Sequence, residues 1–279
     1  MAAEFEKPVL MFSGGKDSIV MLRLAEKAFY PAKIPFSILQ VDTGLDFPEV
    51  METRDRWVSR LGVNLVVASI DDAIRDGIIP DAAKISRNRL QIPTLLNAIE
   101  ENGFTAAFGG GRRDEEKARA KERVYSHRDE FGQWDPKNQR PEPVEPLQRP
   151  PARGRAHADL PDLELDRVWT SGTTSAARAS RSPSIYFSHQ RRVFVRDGML
   201  MSETPLNPLR EGEVVEERTV RFRTCGDITL TGCVESTAST IAEIIDEVSV
   251  ARKTERGATR GDDRFSEAAM EDRKKEGYF

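Results

Sequence analysis

The sequence predicts an α/β protein with a doubly wound, mainly parallel sheet and an irregular C-terminal extension. Short apolar runs alternate with helical patterns over the first 110 residues, and the connections between them are short. A polar, glycine-containing string also stands between the first predicted strand and the first predicted helix. Strand–helix alternation with short connections indicates a parallel sheet with crossover helices. In such a sheet ligands bind beyond the carboxyl ends of the strands.

Each element has its own signal. The strands are predicted from apolar runs at 8–12, 36–41, 64–68 and 104–108. The helices are predicted at 18–29, 48–61 and 90–101, where apolar residues recur at helical spacing. Proline in the first turn supports the start of the second helix at residue 48.

Composition limits the class of protein. The net charge of −4 argues against a general nucleic-acid binder. No apolar run approaches the ~20 residues needed to span a bilayer, and the acidic N-terminus does not resemble a signal peptide. The two cysteines cannot form a disulfide framework. We therefore predict a cytoplasmic protein that binds neither membranes nor nucleic acid.

The string between the first strand and the first helix carries the chemistry. It consists of Ser13, Gly14, Gly15, Lys16, Asp17 and Ser18. Two glycines allow a tight turn and close approach of the backbone to a ligand. The amides and dipole of the helix start favour an anion, and the hydroxyls and the lysine add donors and positive charge. A plain turn with Asp17 or Ser18 as helix cap is the alternative, but the complete string favours phosphate binding.

This string is not a Walker motif; it resembles the PP-loop of ATP pyrophosphatases, Ser-Gly-Gly-x-Asp-Ser. Enzymes of that family cleave ATP between the α and β phosphates. The resemblance implies that the loop holds pyrophosphate. It also implies that Asp42, in Val-Asp-Thr-Gly after the second strand, lies where the family holds adenosine, although an ordinary turn is an equal alternative there.

Longer strings narrow the resemblance. "AAFGGGRRDEEKARAKERVYSHRDEFGQWDPKNQRPE" from Ala106, "IYFSHQRRVFVRDGML" from Ile185 and "VRFRTCGDITLTGCVES" from Val220 are similar to the small, ATP-binding subunit of bacterial sulfate adenylyltransferase. The resemblance covers residues 1–142 and 184–279. It implies ATP with Mg²⁺ and sulfate as substrates, no tightly bound metal or prosthetic group, and a role in sulfate assimilation and cysteine biosynthesis. It also implies a separate large GTPase subunit in a heterodimer or larger assembly.

Glycines and arginines follow the fourth predicted strand. Gly109 and Gly110 are expected beside the nucleotide, and Arg112 and Arg113 follow them closely. Guanidinium groups there suit sulfate or the α-phosphate in its transition state. The later arginines of "RRVFVRDG" could add anion contacts or form a plain basic surface.

Other enzymes of this loop family fit less well. A phosphosulfate reductase needs a catalytic cysteine, usually in Glu-Cys-Gly-Leu-His, whereas Cys225 stands in Thr-Cys-Gly-Asp. A tRNA thiolase needs paired cysteines and a strongly basic face. Neither pattern occurs in the sequence.

Residues 143–183 differ from the rest. The segment is rich in Pro, Arg, Ala and Ser, which predicts an irregular, disordered region. When synonymous codons are chosen for this segment and read in a shifted frame, three successive places in the segment give strings that resemble the family. We therefore predict an out-of-frame segment between a domain at 1–142, which binds ATP, and a region at 184–279 that contacts partner and substrate. The alternative function is an inactive or partner-docking remnant. The family usually carries one more helix ahead of "AAEFEKPV", which would make Met1 a misassigned start.

Overall fold

The computed structural model describes residues 3, 5–80, 87–110, 125–128, 135, 137, 155–159 and 182–249. Arg112 and Arg113 lie outside these ranges, as do most of 143–183 and all residues after 249. Within the described ranges, no helix has both the length and the apolar character that crossing a membrane requires.

Among the described residues, six strands form one sheet. They are β1 (Pro8–Met11), β2 (Ser37–Asp42), β3 (Leu65–Ser69), β4 (Ala106–Gly109), β5 (Tyr125–Arg128) and β6 (Arg155–Asp159). Their order in space is β3-β2-β1-β4-β6-β5. All neighbouring strands run parallel except β5, which pairs antiparallel with β6 at the edge. The predicted mainly parallel sheet is therefore confirmed.

In the part of the chain that the structure describes, four helices accompany the first four strands. They are α1 (Lys16–Phe29), α2 (Pro48–Leu61), α3 (Ile70–Arg75) and α4 (Arg87–Glu101). The predicted bounds of α2 are confirmed: proline stands in the first turn, and Gly62, with φ of +60°, ends the helix. The sequence prediction missed α3. The sequence does carry a signal for its start, a serine at the N-cap position. The Ser69 side chain accepts a hydrogen bond from the Asp72 amide at 3.2 Å.

Successive strand residues point to opposite faces and bury them under different helices. Leu10 and Ile38 pack in one core cluster with residues of α1 and α2, including Trp57. Their neighbours Val9 and Leu39 pack in another cluster, which contains α4 residues. Both faces are thus covered, which explains why these strands are nearly continuous apolar runs.

The C-terminal region corrects the prediction of an irregular extension. Residues 189–235 form a closed antiparallel barrel in the order β10-β8-β7-β9, and helix α5 (Ile241–Ser249) follows. The strands are β7 (His189–Arg196), β8 (Met199–Ser202), β9 (Glu216–Arg221) and β10 (Gly232–Glu235). β7 and β9 carry many charged residues, so apolar alternation is weak and the period-two signal is hidden.

The segment 143–183 contributes one strand to the sheet. β6 pairs in parallel with β4, where Ala106 aligns with Ala156, and antiparallel with β5. The prediction of an irregular segment is therefore wrong for these five residues. Strand pairing uses backbone amides and carbonyls, so a sequence with no apolar pattern can still add to a sheet. The prediction stays untested for the rest of the segment, which lies outside the described residues except for 182 and 183.

Candidate active site

The predicted phosphate loop joins β1 to α1 at the carboxyl end of β1. Gly14 has φ of +71°, in the left-handed region that favours glycine. A Cβ atom at Gly14 would lie 2.7 Å from Cγ1 of Val50, which belongs to α2. Both the backbone conformation and the packing therefore require glycine at this position.

The two serines of the loop brace it from within. The Ser18 hydroxyl donates to the Gly15 carbonyl oxygen at 2.9 Å, and its oxygen lies 3.3 Å from Ser13 Oγ. The Gly15 amide in turn donates to Ser13 Oγ at 3.4 Å. The hydroxyls expected to face a ligand thus shape the loop through their own hydrogen bonds.

Helix α1 begins without a capping side chain. Gly15 occupies the N-cap position and makes no side-chain cap hydrogen bond, so the alternative in which Asp17 or Ser18 caps the helix is wrong. The positive end of the helix dipole lies at the loop, and a glycine cap leaves room for an anion to approach it. The start of α1 is therefore compatible with a bound anion.

Lys16 adds positive charge to this helix start. Its side chain is buried, with 6% exposed, and Nζ lies 3.3 Å from Oδ2 of Asp17. Burial of an ammonium group is costly unless a carboxylate accompanies it, and Asp17 supplies one. The pair holds the lysine at the loop and keeps it out of bulk water.

Gly110 brings the end of β4 against the phosphate loop. A Cβ atom at Gly110 would lie 3.2 Å from the carbonyl carbon of Asp17 and 3.3 Å from the amide nitrogen of Ser18. Gly109, the last residue of β4, is buried beside it. The glycine loop after β4 therefore contacts the phosphate loop through Gly110. Arg112 and Arg113 lie outside the described residues.

The turn after β2 forms the next part of the same sheet edge. The Asp42 carboxylate accepts a hydrogen bond from the Gly44 amide at 2.8 Å. The Arg87 guanidinium donates to the Thr43 carbonyl oxygen at 2.7 Å and to Asp71 Oδ1 at 2.5 Å. Arg87 therefore fastens the turn to α3 and α4, a role that sequence reasoning missed.

Carboxylates crowd together below this turn. Burial, and then the charges of Asp227 and Asp42, raise the pKa of Asp46 from 3.8 to about 7, against the lowering effects of the Thr43 backbone and Arg54. Asp227 is buried and accepts a hydrogen bond from the Thr43 hydroxyl at 2.9 Å. A proton can therefore reside on Asp46 near neutral pH.

The C-terminal region contacts both loops. The Lys16 amide donates to the Tyr186 hydroxyl at 3.1 Å, and the Ile228 amide donates to the Leu45 carbonyl oxygen at 2.9 Å. Phe47 and Phe222 pack with ring centroids 4.7 Å apart. The barrel therefore packs on the carboxyl edge of the sheet, where the two predicted nucleotide loops lie.

The barrel arginines pair with carboxylates of the same chain. Arg191 pairs with Glu49 of α2 and lies over the rings of Phe47 and Phe222. Arg192 pairs with Glu203 at 3.1 Å, and Arg196 pairs with Glu213 at 2.6 Å. Neither alternative from the sequence, anion contacts or a plain basic surface, describes these intramolecular ion pairs.

Comparison with known proteins places this site in a family. A model of the phosphoadenosine phosphosulfate reductase domain matches residues 7–233. "Sulfate adenylyltransferase subunit 2" of Mycolicibacterium gilvum (strain PYR-GCK) is 56% identical over 279 residues, which are 100% of this chain and 90% of that protein. The protein of the same name from Mycobacterium bovis (strain BCG / Pasteur 1173P2) is 58% identical with the same coverage.

The chain belongs to the sulfate adenylyltransferase subunit 2 family. The resemblance stated from the sequence is thereby confirmed. A solved phosphoadenylyl-sulfate reductase from Candida auris is 15% identical with a TM-score of 0.38, covering 61% of this chain and 75% of that one. That likeness is too weak to support an argument about the site.

For this member of the sulfate adenylyltransferase subunit 2 family, part of the predicted site comes together in the structure. The loop at 13–18, Asp42, Gly109 and Gly110 lie at the carboxyl edge of neighbouring strands. Sequence reasoning named Thr43 only as part of a turn and assigned no role to Arg87 or Tyr186, and it missed the contacts by which these residues join distant parts of the chain. A buried tyrosine or threonine has no local signal that reveals such a partner.

Proposed function

We propose that the chain forms adenosine 5′-phosphosulfate and pyrophosphate from ATP and sulfate, as the family name suggests. The observation that carries the proposal is the phosphate loop. It combines a positive-φ glycine, a helix start capped by glycine, and a buried lysine, at the edge of a parallel sheet. This combination suits the β and γ phosphates of ATP.

The reaction needs no covalent enzyme intermediate. An oxygen of sulfate forms a bond to the α-phosphorus, the bond from that phosphorus to the bridging oxygen breaks, and pyrophosphate leaves with the electron pair. Catalysis then consists of positioning and of stabilising negative charge. Mg²⁺ enters with ATP as part of the substrate, and carboxylate oxygens such as those of Asp17 suit this cation.

We assign roles to the residues accordingly. The loop at residues 13–18, the positive end of α1 and the ammonium group of Lys16 hold the departing pyrophosphate. The turn at Asp42, fastened by Arg87, lies on the adenosine side. Arg112 and Arg113 bind sulfate or the reacting α-phosphate. We also propose a separate large GTPase subunit as partner and a cytoplasmic location. We divide the chain into an ATP-binding domain at 1–142, the segment 143–183, whose strand β6 adds to the sheet of that domain, and a region at 184–279 that contacts partner and substrate.

A reductase function is disfavoured by cysteine chemistry. A reductase of this fold needs a reactive thiolate. Burial raises the pKa of the Cys233 thiol to about 12, so this thiol stays protonated at neutral pH. Cys225 lies against the Tyr186 hydroxyl and stands outside the reductase motif.

Exchange of labelled pyrophosphate into ATP tests the proposal. The chain, purified with a large subunit from a relative, should support exchange that depends on sulfate. Exchange of the same complex without sulfate is the control. A folded complex that supports none would favour the alternative, an inactive remnant whose segment 143–183 is out of frame. Sequencing the gene tests that frame directly, because an uninterrupted frame encoding this segment would exclude a sequencing error.

A further inference from the structure

One hydrogen bond links the C-terminal region, just ahead of the barrel, directly to the phosphate loop. The backbone amide of Lys16, the first residue of α1, donates to the Tyr186 hydroxyl at 3.1 Å. The two residues are 170 positions apart in sequence. A Cβ atom at Gly15 would lie 3.6 Å from the same hydroxyl oxygen. The tyrosine therefore contacts the part of the loop where α1 begins.

Tyr186 is anchored by its surroundings. The residue is 4% exposed and ends a 3-10 turn at Ser184–Tyr186. Its neighbour Ile185 is fully buried, and the Ile185 carbonyl oxygen accepts a hydrogen bond from the Phe222 amide at 2.8 Å. The ring cannot leave the loop unless this part of the core opens, so the hydroxyl is a fixed partner of the Lys16 amide.

The hydroxyl is neutral at this position. Burial, and then the neighbouring Cys225 thiol, raise the pKa of Tyr186 well above its usual value. A neutral hydroxyl oxygen accepts the amide hydrogen without placing a negative charge beside a phosphate site. A carboxylate in its place would accept the same hydrogen bond but would repel pyrophosphate.

We propose that Tyr186 is a positioning residue: by accepting the Lys16 amide hydrogen it fixes the first turn of α1, where the pyrophosphate part of ATP binds. The inference rests on the proposed function. A fixed acceptor removes freedom from the loop before the ligand arrives, so less ordering remains to be done on binding. Through this bond the C-terminal region takes part in phosphate binding without touching the phosphate.

The test separates pyrophosphate binding from adenosine binding. Tyr186→Phe removes only the hydroxyl, and Tyr30→Phe is the matched control because Tyr30 is 82% exposed. Titration calorimetry should show that Tyr186→Phe binds pyrophosphate about fivefold more weakly, the effect of one neutral hydrogen bond. Its affinity for AMP, which lacks the pyrophosphate group, should stay unchanged. Tyr30→Phe should match the unaltered chain with both ligands.

Three results would overturn the inference. Unchanged pyrophosphate affinity would show that the hydroxyl does not position the loop. Tighter binding would show that it competes with the ligand for the amide, and an equal loss for both ligands would show a purely structural role. If the unaltered chain binds no pyrophosphate, the proposed phosphate role of the loop fails as well, and the two failures are thus distinguishable.

Hydrogen exchange gives a second measurement that does not depend on the folding of a variant. The Lys16 amide of the unaltered chain should be protected from exchange without pyrophosphate present, because its hydrogen is bonded to a buried acceptor. Exchange as fast as that of an open loop would contradict the inference.

Discussion

Replacing Gly14 with alanine should destabilise the protein more than the same change at another left-handed glycine. At Gly14 a Cβ atom would meet Val50 Cγ1 at 2.7 Å and the Val50 carbonyl oxygen at 3.3 Å. The left-handed backbone costs alanine about 1 kcal/mol, and forcing apart a packed core contact adds roughly 1–3 kcal/mol. We therefore expect Gly14→Ala to lower the free energy of unfolding by roughly 2–4 kcal/mol.

Gly62 provides the matched control. Its φ of +60° is similar, but among the residues that the structure describes no atom beyond its own chain neighbours lies within 4 Å of a Cβ placed there. Gly62→Ala should therefore cost only the backbone strain of about 1 kcal/mol. Urea unfolding followed by circular dichroism measures both changes. Equal losses for the two variants would refute the idea that α2 packs against the phosphate loop at Gly14.

A double-mutant cycle locates the strain. Val50→Ala removes the Cγ1 atom that the new methyl group would meet, although it also leaves a small cavity in the core. Together the two changes should cost clearly less than the sum of the single changes, because the contact is absent from the double variant. Strict additivity would show that the strain lies elsewhere.

Three further predictions concern charge at the site. Lys16→Ala should weaken ATP binding and exchange by about 2–3 kcal/mol, while Lys33→Ala, an exposed control, should change neither; equal exchange rates would exclude a phosphate role for Lys16. Arg112→Ala and Arg113→Ala should each lower turnover while ATP affinity stays nearly unchanged, and a parallel loss of ATP affinity and stability would indicate a structural role. The pKa of Asp46 is raised from 3.8 to about 7, chiefly by burial, so the folded state keeps a proton that the unfolded chain releases. Stability should therefore fall as pH rises from 3.8 to about 7 and level off above, and Asp46→Asn should abolish that fall in urea unfolding; a persisting fall would assign it to another group.

The N-terminal sheet was predictable because its signals are local. Each of the strands β1–β4 is an apolar run of the kind that a sheet covered on both faces requires, and each long helix carries periodic apolar residues; β5 and β6 lack this signal and were not predicted. The loop at 13–18 was predictable for a similar reason, since glycine, lysine and serine at fixed spacing express a local backbone geometry.

The barrel was not predictable in this way. In β7 the inward positions include Arg191, which the core accepts because Glu49 neutralises it and two aromatic rings cover it. From the sequence alone, an arginine in a strand is interpreted as a surface residue, because its partner Glu49 lies 142 positions away. The same limit applies to Tyr186 and Asp227, whose roles depend on partners brought close only by the fold.

The junction between sheet and barrel has a consequence for how much sequence change the chain can bear. Four polar contacts cross this junction, and each joins a residue before position 51 to a residue after position 181. They are Lys16 with Tyr186, Thr43 with Asp227, Leu45 with Ile228, and Glu49 with Arg191. None of these partners lies in the segment 143–183. A frame error confined to that segment would leave the residues on both sides of the junction unchanged. A change confined to this segment therefore acts on β6 and its pairing with β4 and β5, and leaves these four contacts between the sheet and the C-terminal region in place.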